Sequence, residues 1–267
     1  MERTLKQKEE DDVEEEIFYS PNCIDEENEE IQSNDDEEKK KIHHLREIVA
    51  KQDPAACEEV DEGTLRRFLR DRDLDIEKAS TMLMKYLTWR RSFVPTGSIS
   101  ASEAPNHVAH KKVFVQGTDK RGCPVAVVFG AKHFPSKGNN EEFKRFAVFV
   151  LDKICSRIPN GEEKFTSIVD LEGFGYSNSD VRGYIAVLSI LQNYYPERLQ
   201  KVFLIHASYV FMAAWKVVYP FVDKNTRKKI TFVENKKIQS ALLEEIDVDQ
   251  LPYIYGGKLQ LVPIQDV

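Results

Sequence analysis

YYPERLQKVFLIHASYVFMAAWKVVYPFVDKNTRKKITFV, residues 194–233, is the stretch on which the reading of this chain turns. It divides into a charged loop (Tyr195-Pro196-Glu197-Arg198), a buried strand (Lys201 to Ala207), an apolar helix (Tyr209 to Val222) and a basic exit (Asp223 to Lys229). Between Tyr209 and Val222 only Lys216 is charged, so the helix has no polar face for water and something must cover it. Its fourteen residues, at about 1.5 Å each, reach roughly 21 Å, short of the ~20 residues that cross a bilayer. Two readings stay open: a helix buried in the core, or a helix covering a cavity, with one side against a hydrophobic ligand and the other meeting a membrane when the cavity opens. The flanks favour the second. Glu197 and Arg198 precede the strand, and Thr226 and Lys229 follow the helix, so both ends of the apolar unit carry groups able to hold a polar, anionic head.

The surrounding chain reads as strands alternating with helices. Val113 to Gln116 and Pro124 to Phe129 form two strands joined by the hairpin turn Thr118-Asp119-Lys120-Arg121-Gly122. A helix from Glu141 to Ile158 follows, then a strand from Phe165 to Leu171. Ser177 or Ser179 starts a further helix through Ile185, Leu188 and Leu191. After the opening stretch, a strand at Ile230 to Val233 and a helix at Lys236 to Glu245 lead to LPYIYGG, residues 251–257. This order predicts an α/β fold with a mixed, partly parallel sheet and helical cover over residues 105–260.

Residues 41–94 are helical in pattern and predict a small all-α unit ahead of the sheet. Ile42, Leu45, Ile48 and Val49 form one stripe; Asp61 and Asp75 are placed to cap the next two helices, which bury Leu65, Phe68 and Leu69, then Ala79, Leu83 and Leu87. Val94 to Pro105, rich in serine and proline, is the joint. Residues 1–40 hold seventeen acidic against five basic side chains, net −12, which leaves the remaining chain at +5 out of the formal −7. With Ile17, Phe18 and Tyr19 as its one apolar cluster, this tail is expected to be disordered. A mildly basic body can approach anionic lipid.

Catalytic motifs are missing: no GxSxG, P-loop, HExxH or GxGxxG occurs. Cys23, Cys57, Cys123 and Cys155 lack metal-ligand or disulfide spacing, and basic residues are not interleaved with exposed aromatics, so neither a metal site nor nucleic-acid binding is expected. His43-His44 reads as a solvated pair and His206 as a hydrogen-bonded core residue. Asp170, at the end of a strand, reads as an anchor for the turn after it. Without an apolar leader the expected location is cytoplasmic.

Several pieces together resemble the CRAL-TRIO lipid-binding family, and within it the phosphatidylinositol transfer proteins: LRRFLRDR at 65–72 with Leu74-Asp75 and Trp89-Arg90, DKRGCP at 119–124, NYYPER at 193–198, and the terminal LPYIYGG. The resemblance covers about residues 41–260. It implies one phospholipid in a cavity floored by the sheet and closed by a mobile helix, here Tyr209 to Val222 with Phe211, Trp215, Val218 and Phe221. It also places the phosphoinositol contacts on Arg72, Glu197, Arg198, Thr226 and Lys229. Their chemistry suits that role, with cations for phosphate, and a carboxylate and a hydroxyl for the inositol hydroxyls. Without a lipid role, Arg72 and Glu197 could instead form a structural ion pair. Where choline-binding members carry tyrosines and a serine, this chain has Val115, Ala126 and Phe165, which implies that phosphatidylinositol binding is kept and phosphatidylcholine binding is weak. The implied protein is a monomer, transiently peripheral at membranes, without cofactor, metal or catalysis. The alternatives are a carrier of a tocopherol- or sterol-like molecule and a lipid-sensing scaffold whose acidic tail binds a partner.

Overall fold

The computed structural model describes residues 21–135 and 140–266, with side chains from residue 35 onward except that of Cys57. Four helices open the chain: α1 (Pro21–Gln52), α2 (Ala56–Glu59), α3 (Glu62–Asp71) and α4 (Ile76–Phe93). Asp61 and Asp75 cap α3 and α4 as their spacing predicts, accepting from the amides of Thr64 at 2.7 Å and Lys78 at 3.0 Å. Leu45, Leu65, Leu69 and Leu83 meet in a shared core.

The acidic stretch departs from the expectation of disorder. Residues 1–20, with the Ile17–Tyr19 cluster, lie outside the described residues, but from Pro21 onward the chain is helical. Among the described side chains, Glu37 pairs with Lys41 one turn on, and Glu38 grips Arg70 of α3 through Nε at 2.6 Å and Nη2 at 2.8 Å. Composition alone missed this because it counts charges without their partners.

After α5 (Pro105–Ala109) come β1 (Val113–Thr118), β2 (Pro124–Phe129), α6 (Glu141–Cys155), β3 (Phe165–Asp170), α7 (Val181–Tyr194), β4 (Leu199–Ile205), α8 (Tyr209–Val218), α9 (Lys224–Lys228), β5 (Ile230–Phe232) and α10 (Ile238–Glu245). The sheet order is β1-β2-β3-β4-β5, antiparallel in the first pair and parallel in the rest. In the β1–β2 turn Asp119 accepts the amides of Arg121 and Cys123 and the hydroxyl of Thr166, which ties the hairpin to β3. The helix α7 starts at Asp180, not at Ser177 or Ser179; Asp180 accepts from the Gly183 amide at 2.9 Å, and the serines fall in and beside a short 3-10 turn.

The two faces of the sheet are paved differently, because strand residues alternate sides. One face carries Phe114, Val125, Val127, Ile168, Phe203 and Ile205, packed solidly under α10 with Ile246, Leu251 and Tyr255. The other presents smaller side chains toward α6 and α7: Val113, Ala126, Val128, Ser167, Val169 and Val202. Small residues below and helices held above leave a cavity of about 350 Å³.

LPYIYGG closes the C-terminal edge of the sheet. The Tyr255 hydroxyl donates to Asp170 Oδ2 at 2.8 Å, while Asp170 Oδ1 holds His206 Nδ1 at 2.8 Å and the Glu172 amide at 2.9 Å. Asp170 thus anchors the turn, as its position predicts, and His206 is hydrogen-bonded. Asp170, Glu172 and His206 could bring ligand atoms within 4.8 Å of one another, but both Asp170 oxygens are already engaged. Removing the buried phenol bond by Tyr255→Phe should lower the unfolding free energy by about 1–3 kcal/mol, read by urea denaturation; an unchanged midpoint would mean that the bond contributes nothing net.

Candidate lipid-binding site

The cavity lies between the small-residue face of the sheet and α6 and α7. Val187 and Leu191 of α7, four residues apart, line one wall, and Phe146, Val150 and Ile154 of α6 another. Ala126 and Phe165, two of the three positions that depart from the choline-binding pattern, form part of its floor. The third, Val115, pairs with Ala126 across β1 and β2 and is buried in the same core.

Phe211 of α8 closes one side of the cavity, edge-on to Phe174 at 5.5 Å between ring centres. Trp215 stacks on Phe211 and meets Phe232 edge-on, and Val218 is buried. Ser208 caps the helix through the Phe211 amide and donates its hydroxyl to the Phe174 carbonyl. The α-helix ends at Val218 and continues as a 3-10 turn, Tyr219–Phe221, with Pro220 at its second position. Of the two readings of this helix, burial in the core does not hold: it covers a cavity with one side only. Its outer side is bare: Tyr209 is 84%, Val217 53%, Tyr219 43% and Phe221 54% exposed. Phe221 therefore faces outward, unlike Phe211 and Val218.

Beyond the far end of α7 lies a polar pocket of about 20 Å³ lined by Asp71, Gln192, Glu197, Asp223, Asn225, Thr226 and Lys229. Leu191 and Leu199 belong to its wall and to that of the apolar cavity, so the two spaces share a partition. Glu197 holds Lys229 at 3.4 Å and Lys164 at 3.3 Å, with its backbone in the left-handed region at φ 54°. The Thr226 hydroxyl donates to Asp223 Oδ2 at 2.5 Å and its amide to Oδ1 at 2.8 Å. Burial works against the Asp223 charge, but these two bonds hold the carboxyl below its ordinary range.

Glu197, Thr226 and Lys229 thus come together. Arg72 is not part of the pocket lining; its guanidinium pairs with Asp71, which is, at 3.1 Å, in place of the Arg72–Glu197 ion pair of the alternative reading. Arg198 does not join the group. It donates to the Glu163 carbonyl at 2.9 Å and lines a separate pocket of about 130 Å³ with Arg67, Arg90, Asp152 and Cys155. Glu197 sits in a turn with left-handed backbone, and the chain leaves it toward β4 with the two side chains in different pockets.

Sequence reading missed Asp71, Gln192 and Asp223. Gln192 accepts the Asp223 amide at 2.8 Å and donates to the Phe221 carbonyl at 3.1 Å. Arg227 donates to the carbonyls of Val222 and Tyr219 and lies over the Tyr219 ring. The exit of α8 is therefore tied to the wall of the polar pocket. In sequence, the run Asp223-Lys224-Asn225-Thr226 was a readable cap signal, whereas Asp71 and Gln192 carried none.

Comparison with known proteins agrees with this architecture. The chain belongs to the family of the CRAL/TRIO domain, whose model matches residues 109–257. Among its relatives is phosphatidylinositol transfer protein CSR1 of Eremothecium gossypii, 28% identical across 74% of this chain and 47% of that protein. SEC14 cytosolic factor of Candida glabrata is 32% identical across 76% of this chain and 73% of that one. The same factor of Schizosaccharomyces pombe is 32% identical across 76% and 77%. The chain thus spans about half of the first relative and about three quarters of the other two. The crystal structure of Sfh5 superimposes with a TM-score of 0.61 at 19% identity, covering 83% of this chain and 94% of that one, and it shares the fold.

Asp71 gives the polar pocket a measurable signature. Burial, and then its neighbours Glu197 and Asp223, raise its carboxyl above the usual range, against the pull of Arg72. A raised acid costs folding stability once pH climbs through its folded pKa. Asp71→Asn is therefore expected to raise the melting temperature at pH 7, with the gain fading as the pH is lowered and Asp71 takes up its proton. A gain that does not change with pH would place its origin elsewhere.

Proposed function

We propose that this protein carries one phosphatidylinositol molecule and exchanges it at membranes, with the acyl chains in the apolar cavity and the head group in the polar pocket. The observation that carries the reading is the shared partition at Leu191 and Leu199: an apolar cavity and a charged, hydroxyl-bearing pocket lie back to back, as an amphiphile requires. One relative, the phosphatidylinositol transfer protein CSR1, supports the same ligand.

A diacyl lipid has roughly thirty methylenes, and at about 0.8 kcal/mol each its unassisted passage into water is prohibitive. A cavity that takes over the apolar contact removes most of that barrier, and no covalent step is needed. Lys229 and Arg72 supply the cations for the phosphate, and Glu197 and Thr226 bond the inositol hydroxyls. Arg198 acts at one remove, holding the Glu163 carbonyl beside Lys164, which in turn pairs with Glu197. At about 20 Å³ the polar pocket is narrow, so a head group enters by displacing the Lys229–Glu197 pair.

The exposed side of α8 is the membrane-facing element. Tyr209, Val217, Tyr219 and Phe221 enter the interface, the helix swings on its tethers at Ser208 and Gln192, and lipids exchange before it closes. Val115, Ala126 and Phe165 provide no hydroxyl to a choline head, so phosphatidylcholine is a poor cargo.

Two experiments test the reading. Thr226→Ala combined with Lys229→Ala should cut phosphatidylinositol transfer between vesicles at least about tenfold, as the loss of charge-assisted bonds implies; unchanged transfer by a folded double variant would refute the head-group assignment. Ser167→Leu, which pushes an isobutyl group up from the floor, should stabilise the ligand-free protein by about 1–2 kcal/mol in thermal unfolding while transfer falls. Transfer at the original rate would show that the cavity is not where the chains lie.

A further inference from the structure

At the end of the cavity away from the head-group pocket stands a group that the carrier reading does not use. Lys112, 3% exposed, lines the cavity immediately before β1. Its ammonium donates to His107 Nδ1 at 2.7 Å and to His133 Nδ1 at 3.0 Å, and it lies 4.9 Å from the ring centre of Phe143 and 4.8 Å from that of Phe146. Both imidazoles accept at Nδ1 and so carry their proton at Nε2. That of His133 is directed to Asp180 at 3.3 Å. Among the described residues, no carboxylate is in ion-pair contact with Lys112.

A buried lysine whose role is only structural ordinarily faces a carboxylate, since an unpaired charge in an apolar surrounding is strongly disfavoured. Here the direct partners are two neutral rings and two aromatic faces, with the Asp180 carboxylate standing one ring away behind His133, so an acid lying in the cavity would be the first carboxylate to meet the ammonium directly. Burial lowers Lys112 to about 7, with Asp180 and Glu142 pulling the other way. Burial likewise lowers His107 to about 4 and His133 to about 3, so both rings stay neutral near pH 7. The titratable groups around the ammonium are thus His107, His110, His133, Glu142 and Asp180. An incoming anion would restore to Lys112 the proton that burial has loosened.

The position also decides the shape of the ligand. Asp180 caps the start of α7 and Gln192 belongs to its last turn, so the cluster and the head-group pocket lie near opposite ends of one helix. Its fourteen residues span roughly 21 Å. Between the two ends, Tyr184, Val187 and Leu191 wall an apolar channel.

We propose that Lys112, backed by His107 and His133, is a second polar subsite that takes the terminal carboxylate of a long-chain acid lying in the cavity. The inference rests on the reading of this cavity as a lipid carrier, and it names a cargo that the phosphoinositol pocket does not define: a single chain whose acid group lies far from Lys229.

The test is isothermal titration of the full-length, delipidated protein with palmitate and with hexadecanol, which matches the chain without the charge. Phosphatidylinositol transfer by the same preparation is measured alongside. Palmitate should bind at least about tenfold more tightly than the alcohol, with proton uptake visible as a binding heat that changes between buffers of different ionisation heat. Lys112→Met should abolish both the preference and the uptake. Equal binding of acid and alcohol by the unaltered protein would overturn the inference, as would a preference that survives in Lys112→Met. If phosphatidylinositol is transferred but palmitate is not preferred, the subsite fails and the carrier reading stands. If palmitate is preferred but no phosphatidylinositol moves, the subsite stands and the head-group assignment fails.

Discussion

The architecture depends on a packing constraint: one face of the sheet is built so that it cannot be filled. Val113, Ala126, Ser167 and Val202 are short and leave space unfilled between this face and the helices above, while the opposite face, with Phe114, Ile168, Phe203 and Ile205, packs solidly under α10. Protein interiors are normally filled close to crystal density, and empty apolar space forfeits the contacts that would line it. The chain tolerates this because the solid face and the C-terminal anchor at Tyr255 and Asp170 supply stability elsewhere. A cavity kept open by small side chains has a volume suited to an apolar guest.

The second dependence is the junction between the polar pocket and the end of α8. Gln192 reaches both the Asp223 amide and the Phe221 carbonyl, and Asp223 orients Thr226. The end of the exposed apolar helix and Thr226, one of the groups proposed to hold the head group, are therefore parts of one hydrogen-bonded unit. Any movement of α8 away from the sheet strains the Gln192 bond to the Phe221 carbonyl.

The N-terminal helices are a fixed part of the body. Trp89 stacks on Tyr194 with 3.8 Å between ring centres, and Arg90 holds Asp152, which also accepts the Tyr195 hydroxyl. The motifs around Trp89 and Tyr194, distant in sequence, are the two halves of this contact. It seats α4 against the end of α7, and Asp71, at the end of α3, enters the wall of the polar pocket. The acidic helix α1 is drawn into the same body through Glu38 and Arg70.

How much of this was legible in the sequence follows from what kind of information each feature requires. Alternation of apolar residues, cap signals at Asp61 and Asp75, and the single charge in Tyr209 to Val222 are local, and they defined the elements, the α/β class and an apolar helix in need of a partner. The pairing of Glu197 with Lys229 and the bonds of Gln192 to Phe221 and Asp223 are contacts between segments dozens of residues apart. Only the folded chain could show that Arg198 turns away from its neighbour, that the acidic segment from Pro21 is helical, or that Lys112 meets two imidazoles beside a cavity. Local periodicity records which side of an element is buried. What that side meets, and whether the space between is filled, depends on side chains that sequence order does not bring together.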